Sequence, residues 1–192
     1  PDHYQLYSMR EFTYNGITQH NRNTLLWRDK SVDGVKTGHT ESAGYCLVAS
    51  AQQGDMRLIS VVLGTDSENA RAEESEKLLS YGFRFFETHR VYAANQALST
   101  VHVWKGEAEN LPLGLQQELY ITIPRGEYNK LDAKVKVQQP IIAPAAKGAQ
   151  YGNLNVSLDG QTVAARPLVA LKGVAEGGLF RRVVDDIKMW FE

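Results

Sequence analysis

The sequence predicts an α/β module followed by an all-β module and a short C-terminal amphipathic helix. Three observations carry that prediction. Two apolar runs of strand length are followed by a helical repeat; short alternating segments broken by Gly and Pro begin after residue 88; and the tail is apolar on one side only. The boundaries implied are 1–87, 88–177 and 178–192.

In the first module, EFTYNGITQHNRNTLLW has a turn signal at Asn15-Gly16. The polar run from Gln19 to Asn23 predicts a loop before the apolar anchor Leu25-Leu26-Trp27. GYCLVASA and RLISVVLG have strand length and no polar face, and Gln52-Gln53-Gly54-Asp55 separates them. That pattern predicts adjacent antiparallel strands, covered on both faces and central in their sheet. Thr65 and Glu68 stand at capping-box spacing before a helix in which Ala72, Ser75, Leu79, Phe83 and Phe86 recur at helical intervals. Glu68, Glu73, Glu74 and Glu76 crowd its first turns, where the helix dipole favours negative charge.

The second module reads as the strands STVHVW, ELYITIP, AKVKVQ, NLNVSL and RPLVAL, with a hairpin signal at Asp159-Gly160. Leu154, Val156 and Leu158 alternate with polar residues, as in a sheet wet on one face. In the tail EGGLFRRVVDDIKMWFE, Leu179, Phe180, Val183, Val184, Ile187, Trp190 and Phe191 fall on one helical face. Arg181, Arg182, Asp185, Asp186 and Lys188 fall on the other. Such a helix suits a membrane interface or docking on the β module, and the pattern alone leaves both open.

Composition removes several function classes. Lys plus Arg number 21 against 22 Asp plus Glu, and no lysine-rich patch or aromatic stacking platform stands out, so no nucleic-acid partner is expected. The single cysteine, Cys46, lies in an apolar run and reads as a small buried hydrophobe. The five histidines lack metal-ligand spacing, so neither a metal nor another cofactor is expected. No apolar stretch is long enough to span a bilayer, and no signal peptide is evident. Beginning at PDHYQLYSMREF without an initiator Met, the chain reads as a processed product or a piece of something longer.

The chemistry-bearing stretch is VDGVKTGHT, residues 32–40. A bare Lys-Thr-Gly recurs by accident, but this one sits at the mouth of the buried strands and resembles the third motif of penicillin-binding proteins and class A β-lactamases. With NGITQHNRNTLLW, VDGVKTGHTESAGYCLVASA, MRLISVVLG, EKLLSYGFRFFET, YITIPRG, RPLVAL and the tail in the same order, the chain resembles the low-molecular-mass penicillin-binding proteins, serine-type D-alanyl-D-alanine carboxypeptidases, along nearly its whole length.

The resemblance implies that residues 1–87 are the C-terminal part of a β-lactamase/transpeptidase-like catalytic domain, followed by a small β-rich domain and a membrane-anchor helix. It implies a peptidoglycan peptide ending in D-Ala-D-Ala as substrate, β-lactams as inhibitors, and a periplasmic location on the outer face of the inner membrane. Lys36 would bring a cation beside the nucleophile, Thr37 a hydroxyl to the substrate carboxylate, and Gly38 room for substrate backbone. The His39 backbone N–H would be one oxyanion donor, and Thr40 would contribute to substrate binding. Arg71 matches the family arginine that helps fix the carboxylate; its ordinary alternative is a surface arginine paired with Glu68 or Glu74. Arg22 is a further candidate cation at the cleft mouth.

The nucleophile is missing. No serine of the chain has lysine three residues on, so the SxxK element is expected in an upstream segment and the chain alone is expected to be inert. Ser67-Glu68-Asn69 has the form of the second motif, but it follows Lys-Thr-Gly and starts a helix, where capping accounts for it. The alternative function is a non-catalytic, wall-associated binding or scaffold module. A β-lactamase ranks below both, because such enzymes lack a β domain and tail of this type.

Overall fold

The computed structural model describes residues 2–190. Phe191, assigned above to the apolar face of the tail, lies outside the described residues. The chain forms two compact units, 1–88 with 122–125 and 89–121 with 126–192.

The first unit opens with a 3-10 turn, Tyr4–Ser8, and a hairpin of β1 (Glu11–Tyr14) and β2 (Ile17–His20). Asn15 (φ 50°) and Gly16 (φ 77°) both take the left-handed conformation that a tight two-residue hairpin requires. Gln19 and His20, expected in a loop, instead continue β2 opposite Phe12 and Glu11. The short helix α1 (Leu25–Arg28) buries Leu25 and Leu26. Strands β3 (Val32–Thr40), β4 (Gly44–Gln53) and β5 (Met56–Thr65) then form an antiparallel sheet in the order β3-β4-β5. Helix α2 (Glu68–Phe85) follows.

Leu25, Leu26, Val32, Leu47, Ala49, Ala51, Ala72 and Leu79 make one core, with Leu58 and Phe83 packed against it. At Gly82 a Cβ would sit 2.4 Å from Leu58 Cδ1, so glycine lets α2 lie directly on β5. Two expectations are corrected. The N-cap of α2 is Ser67, whose side chain accepts from the Ala70 N–H at 3.0 Å; Thr65 is occupied elsewhere, its hydroxyl donating to the Tyr45 carbonyl at 3.0 Å. Phe86 lies past the last helical turn and begins the next strand.

The apolar strands are also not both central. β5 is an edge strand, and its alternation buries Met56, Ser60 and Val62 while Ile59, Val61 and Leu63 stand 66 %, 57 % and 70 % exposed. Nothing among the described residues covers that face. Cys46 is half-buried, its thiol directed at the Ala43 carbonyl.

Strand β6 (Phe86–Tyr92) pairs with a later strand. In the second unit, β7 (Ala97–Trp104), β8 (Asn110–Gly114), β9 (Leu119–Pro124), β10 (Leu131–Val137), β11 (Ile141–Ile142), β12 (Gln150–Leu158) and β13 (Gln161–Ala170) follow. One six-stranded sheet runs β10-β12-β13-β8-β7-β11, and β6 pairs with β9. The hairpin at Asp159-Gly160 joins β12 to β13, and Leu154 and Val156 are buried as their alternation predicts. Asn110-Leu-Pro-Leu-Gly carries strand-breaking Pro and Gly and has no strand pattern of its own, so β8 holds its place by pairing β7 on one side and β13 on the other.

Helix α3 (Leu179–Met189) closes the chain and is turned unexpectedly for a helix packed on a domain. Asp185 and Arg181 of its polar side are turned inward, while Arg182, Asp186 and Lys188 remain exposed. Asp185 is 6 % exposed and accepts from the Lys105 backbone N–H at 2.7 Å; Arg181 pairs with Glu109 at 3.1 Å, and Lys105 pairs with Asp186. Leu179, Phe180, Val183, Ile187 and Trp190 face outward, Phe180 at 86 % and Trp190 at 89 % exposure.

Replacing Leu47, fully buried between β3, β5 and the helices, with Ala should destabilise the first unit by about 2–5 kcal/mol in chemical denaturation, from lost transfer energy and the cavity left behind.

Candidate active-site wall

Regular antiparallel pairing places Lys36 opposite Val48, Thr37 opposite Leu47, Gly38 opposite Cys46 and His39 opposite Tyr45. Side chains alternate along a strand, so Thr37 and His39 fall on the sheet face that carries the buried Leu47, whereas Lys36 rises from the opposite face beside Val48. β3 is the other edge of the sheet, which leaves its outer backbone edge free among the described residues.

Against that edge lies a cleft of about 360 Å³ lined by Arg22, Lys36, Thr37, Gly38, His39, Glu68 and Arg71. Three cations, one hydroxyl and one carboxylate therefore converge from β3, α2 and the loop after β2. Lys36 is exposed to the cleft, with its ammonium donating to the Thr37 carbonyl. Of the residues predicted from sequence, Thr40 lies off this cleft. Its hydroxyl accepts from the Ala43 N–H at 3.0 Å and so closes the β3–β4 turn.

Arg71 is not a surface arginine. It is only 2 % exposed, and its guanidinium donates to the Gly38 carbonyl at 3.3 Å, the Arg22 carbonyl at 3.2 Å and Glu68 Oε1 at 3.2 Å. Those three acceptors compensate the desolvation of a buried cation. Arg22, itself exposed, owes its position to its neighbours. Asn21 donates to the Tyr7 and Met9 carbonyls at 3.2 and 2.9 Å. The buried Asn23 donates to the Gly34 carbonyl at 3.1 Å and accepts from the Leu25 N–H at 3.2 Å. The sequence marks Arg22 as a candidate cation within a polar loop but gives no role to the asparagines beside it. A sequence signal was present, because two asparagines flanking an arginine directly before a buried Leu-Leu mark side chains that must satisfy backbone groups.

Upstream in β3, Asp33 pairs with Arg57 at 2.8 Å and accepts from the Tyr4 hydroxyl at 3.1 Å. Burial alone would push the Asp33 carboxyl up; hydrogen bonds from Arg57, Ser50 and Tyr4, with the Arg57 charge, outweigh it and hold the group below the ordinary carboxylate range.

Comparison with known proteins agrees in both units. Residues 1–67 match the D-alanyl-D-alanine carboxypeptidase family, and residues 86–176 match the C-terminal domain of penicillin-binding protein 5. Over its full length the chain is 46 % identical to the D-alanyl-D-alanine carboxypeptidase DacA of Escherichia coli (strain K12), covering 48 % of that protein. The chain belongs to the D-alanyl-D-alanine carboxypeptidase family. DacC of the same organism is likewise 46 % identical with 48 % of its length covered. The solved penicillin-binding protein 5 of Haemophilus influenzae superposes with a TM-score of 0.83 at 42 % identity, over 92 % of this chain and 52 % of that one. This family member thus spans about half the length of the curated relatives it matches.

Because the folded-state pKa of Asp33 lies below its unfolded value, the Asp33–Arg57 contact stabilises fully above the ordinary 3.8 and is lost as pH falls below that value through the folded pKa. Asp33→Asn should therefore lower stability at neutral pH, lose that effect as pH falls below about 4, and so flatten the acid limb of a stability–pH profile. An unchanged acid limb would count against the assignment.

Proposed function

We propose that this chain supplies the Lys-Thr-Gly wall and the β-rich domain of a penicillin-binding D-alanyl-D-alanine carboxypeptidase that removes the terminal D-Ala from peptidoglycan stem pentapeptides. The observation that carries the reading is the convergence of Arg22, Lys36, Thr37, His39 and Arg71 on one cleft at the free edge of β3. A peptide ending in a carboxylate needs cations and a hydroxyl at such an edge, and a carbonyl under attack needs an N–H to receive its developing negative charge.

In the reaction, a serine hydroxyl from the remainder of the protein adds to the carbonyl of the penultimate D-Ala and gives up its proton. The tetrahedral oxyanion collapses with cleavage of the peptide bond, the terminal D-Ala leaves as an amine after taking a proton, and water then hydrolyses the acyl-serine. Lys36 contributes a cation beside the serine, Thr37 a hydroxyl to the substrate carboxylate, and the His39 N–H one oxyanion contact. A side chain at Gly38 would meet only Cys46 Cβ, at an ordinary 3.7 Å, so internal packing does not demand glycine there, and the bare strand suits a substrate backbone lying on it. The bare Ile59, Val61 and Leu63 face, on the same side as Lys36 through the pairing of Val48 with Val61, is the surface against which we place the nucleophile-bearing segment. On this reading the chain alone is inactive.

The outward apolar face of α3 supports attachment to the outer face of the inner membrane, in the periplasm. A helix docked through Asp185 and Arg181 holds Phe180 and Trp190 free to enter a lipid interface.

Two experiments test this. In the full-length protein, Lys36→Ala should abolish the covalent adduct with labelled penicillin; normal labelling would reduce the triplet to a structural role and favour the scaffold reading. Deleting residues 178–192 should release the protein from membrane fractions while hydrolysis of soluble D-Ala-D-Ala peptides continues, whereas unchanged membrane association would remove the anchor role.

A further inference from the structure

Tyr45 lies outside the residues read from the Lys-Thr-Gly motif and outside the lining of the cleft. Its ring nevertheless touches two groups of the site. It stacks on the His39 imidazole, with centroids 4.0 Å apart at 33°, and the Arg71 guanidinium carbon lies 5.5 Å from its centroid. Those two groups bear on opposite ends of one peptide unit. His39 carries the N–H of the Gly38–His39 peptide, and Arg71 donates to the Gly38 carbonyl. In a trans peptide the C=O and N–H point in opposite directions within one rigid plane, so fixing the carbonyl aims the N–H.

The backbone around Tyr45 is shaped to hold the ring there. The β4–β5 register shifts between Tyr45 and Leu47, and such irregularities re-aim side chains beside functional sites. Thr65 then donates from its hydroxyl to the Tyr45 carbonyl at 3.0 Å, which ties the irregular segment to β5 directly before α2. The aromatic face is attractive to a guanidinium and to a tilted imidazole at these distances, so one ring restrains both partners.

We infer that Tyr45 is a positioning residue for the oxyanion-stabilising His39 N–H, acting through the His39 ring and through Arg71. The inference rests on the carboxypeptidase reading. It gives Arg71 a task independent of the substrate carboxylate, namely holding the Gly38 carbonyl. The contacts use the ring face and not the hydroxyl.

The test uses the full-length protein, a fluorescent penicillin, and an acyl thioester substrate that lacks the terminal carboxylate. Tyr45→Leu should slow acylation by both probes at least about tenfold, the scale of a partly misaligned oxyanion donor, while Tyr45→Phe stays within about twofold of the parent. Tyr45→Met, whose longer unbranched side chain adapts better to the ring's space, reads the same loss should the leucine variant fail to fold, and thermal melts identify folded variants. Acylation at the parent rate in a folded leucine or methionine variant overturns the inference. So does a loss confined to penicillin, since the ring would then serve carboxylate binding alone, and so does a phenylalanine variant as slow as leucine. A parent protein that forms no adduct at all overturns the carboxypeptidase reading itself, and with it this inference.

Discussion

A buried guanidinium holds the site together. Arg71 projects from α2 into a place where three separate segments present an oxygen: Gly38 on β3, Arg22 in the loop after β2, and Glu68 one turn earlier on its own helix. A buried cation cannot be left short of acceptors without a large desolvation cost, so these segments are fixed relative to one another by the same constraint. Asn21 and Asn23 keep the Arg22 loop in place, and the Asp33–Arg57 pair ties the start of β3 to β5. The cleft is the concavity those restraints leave at the strand edge.

The period of a strand then divides the chemistry between two faces. Lys36 rises on the face that is bare along β5, whereas Thr37 and His39 belong to the face packed by α2. On the proposed reading, a substrate peptide lying along the free edge of β3 would meet both, with backbone amides between them. This accounts for finding such a motif on an edge strand: a central strand would have spent the same N–H groups on a neighbour. On the proposed reading, the apolar face beside Lys36 fits the same arrangement, because a segment bringing the nucleophile would need an adhesive surface next to it.

The second unit uses amphipathicity in the reverse of the usual sense. A helix that merely capped the β domain would bury Phe180, Val183 and Ile187 and expose its charges. Here Asp185 satisfies a strand-end N–H, ion pairs flank it, and the apolar side faces outward. Polar docking holds the helix on the domain and leaves its apolar surface open.

Much of this was legible in the chain. Periodicity placed most strands, the hairpins at Asn15-Gly16 and Asp159-Gly160, and the length of α2, because backbone preference and alternation are local properties. The run VDGVKTGHT, with the other matching stretches in the same order, pointed to the family. Sequence could not reveal that β5 is an edge, since an apolar run looks the same whether its second face is covered by the same chain or by another segment. It could not assign the roles of Asn23, Glu68 and Tyr45, whose partners lie in other elements and are chosen by register. It left the tail undecided between lipid and protein, because a helical wheel is blind to which side a neighbour occupies. Local chemistry thus fixed the elements and the motif, and tertiary packing alone decided which faces remain open and which buried charges hold them, since those depend on the distances between segments far apart in the chain.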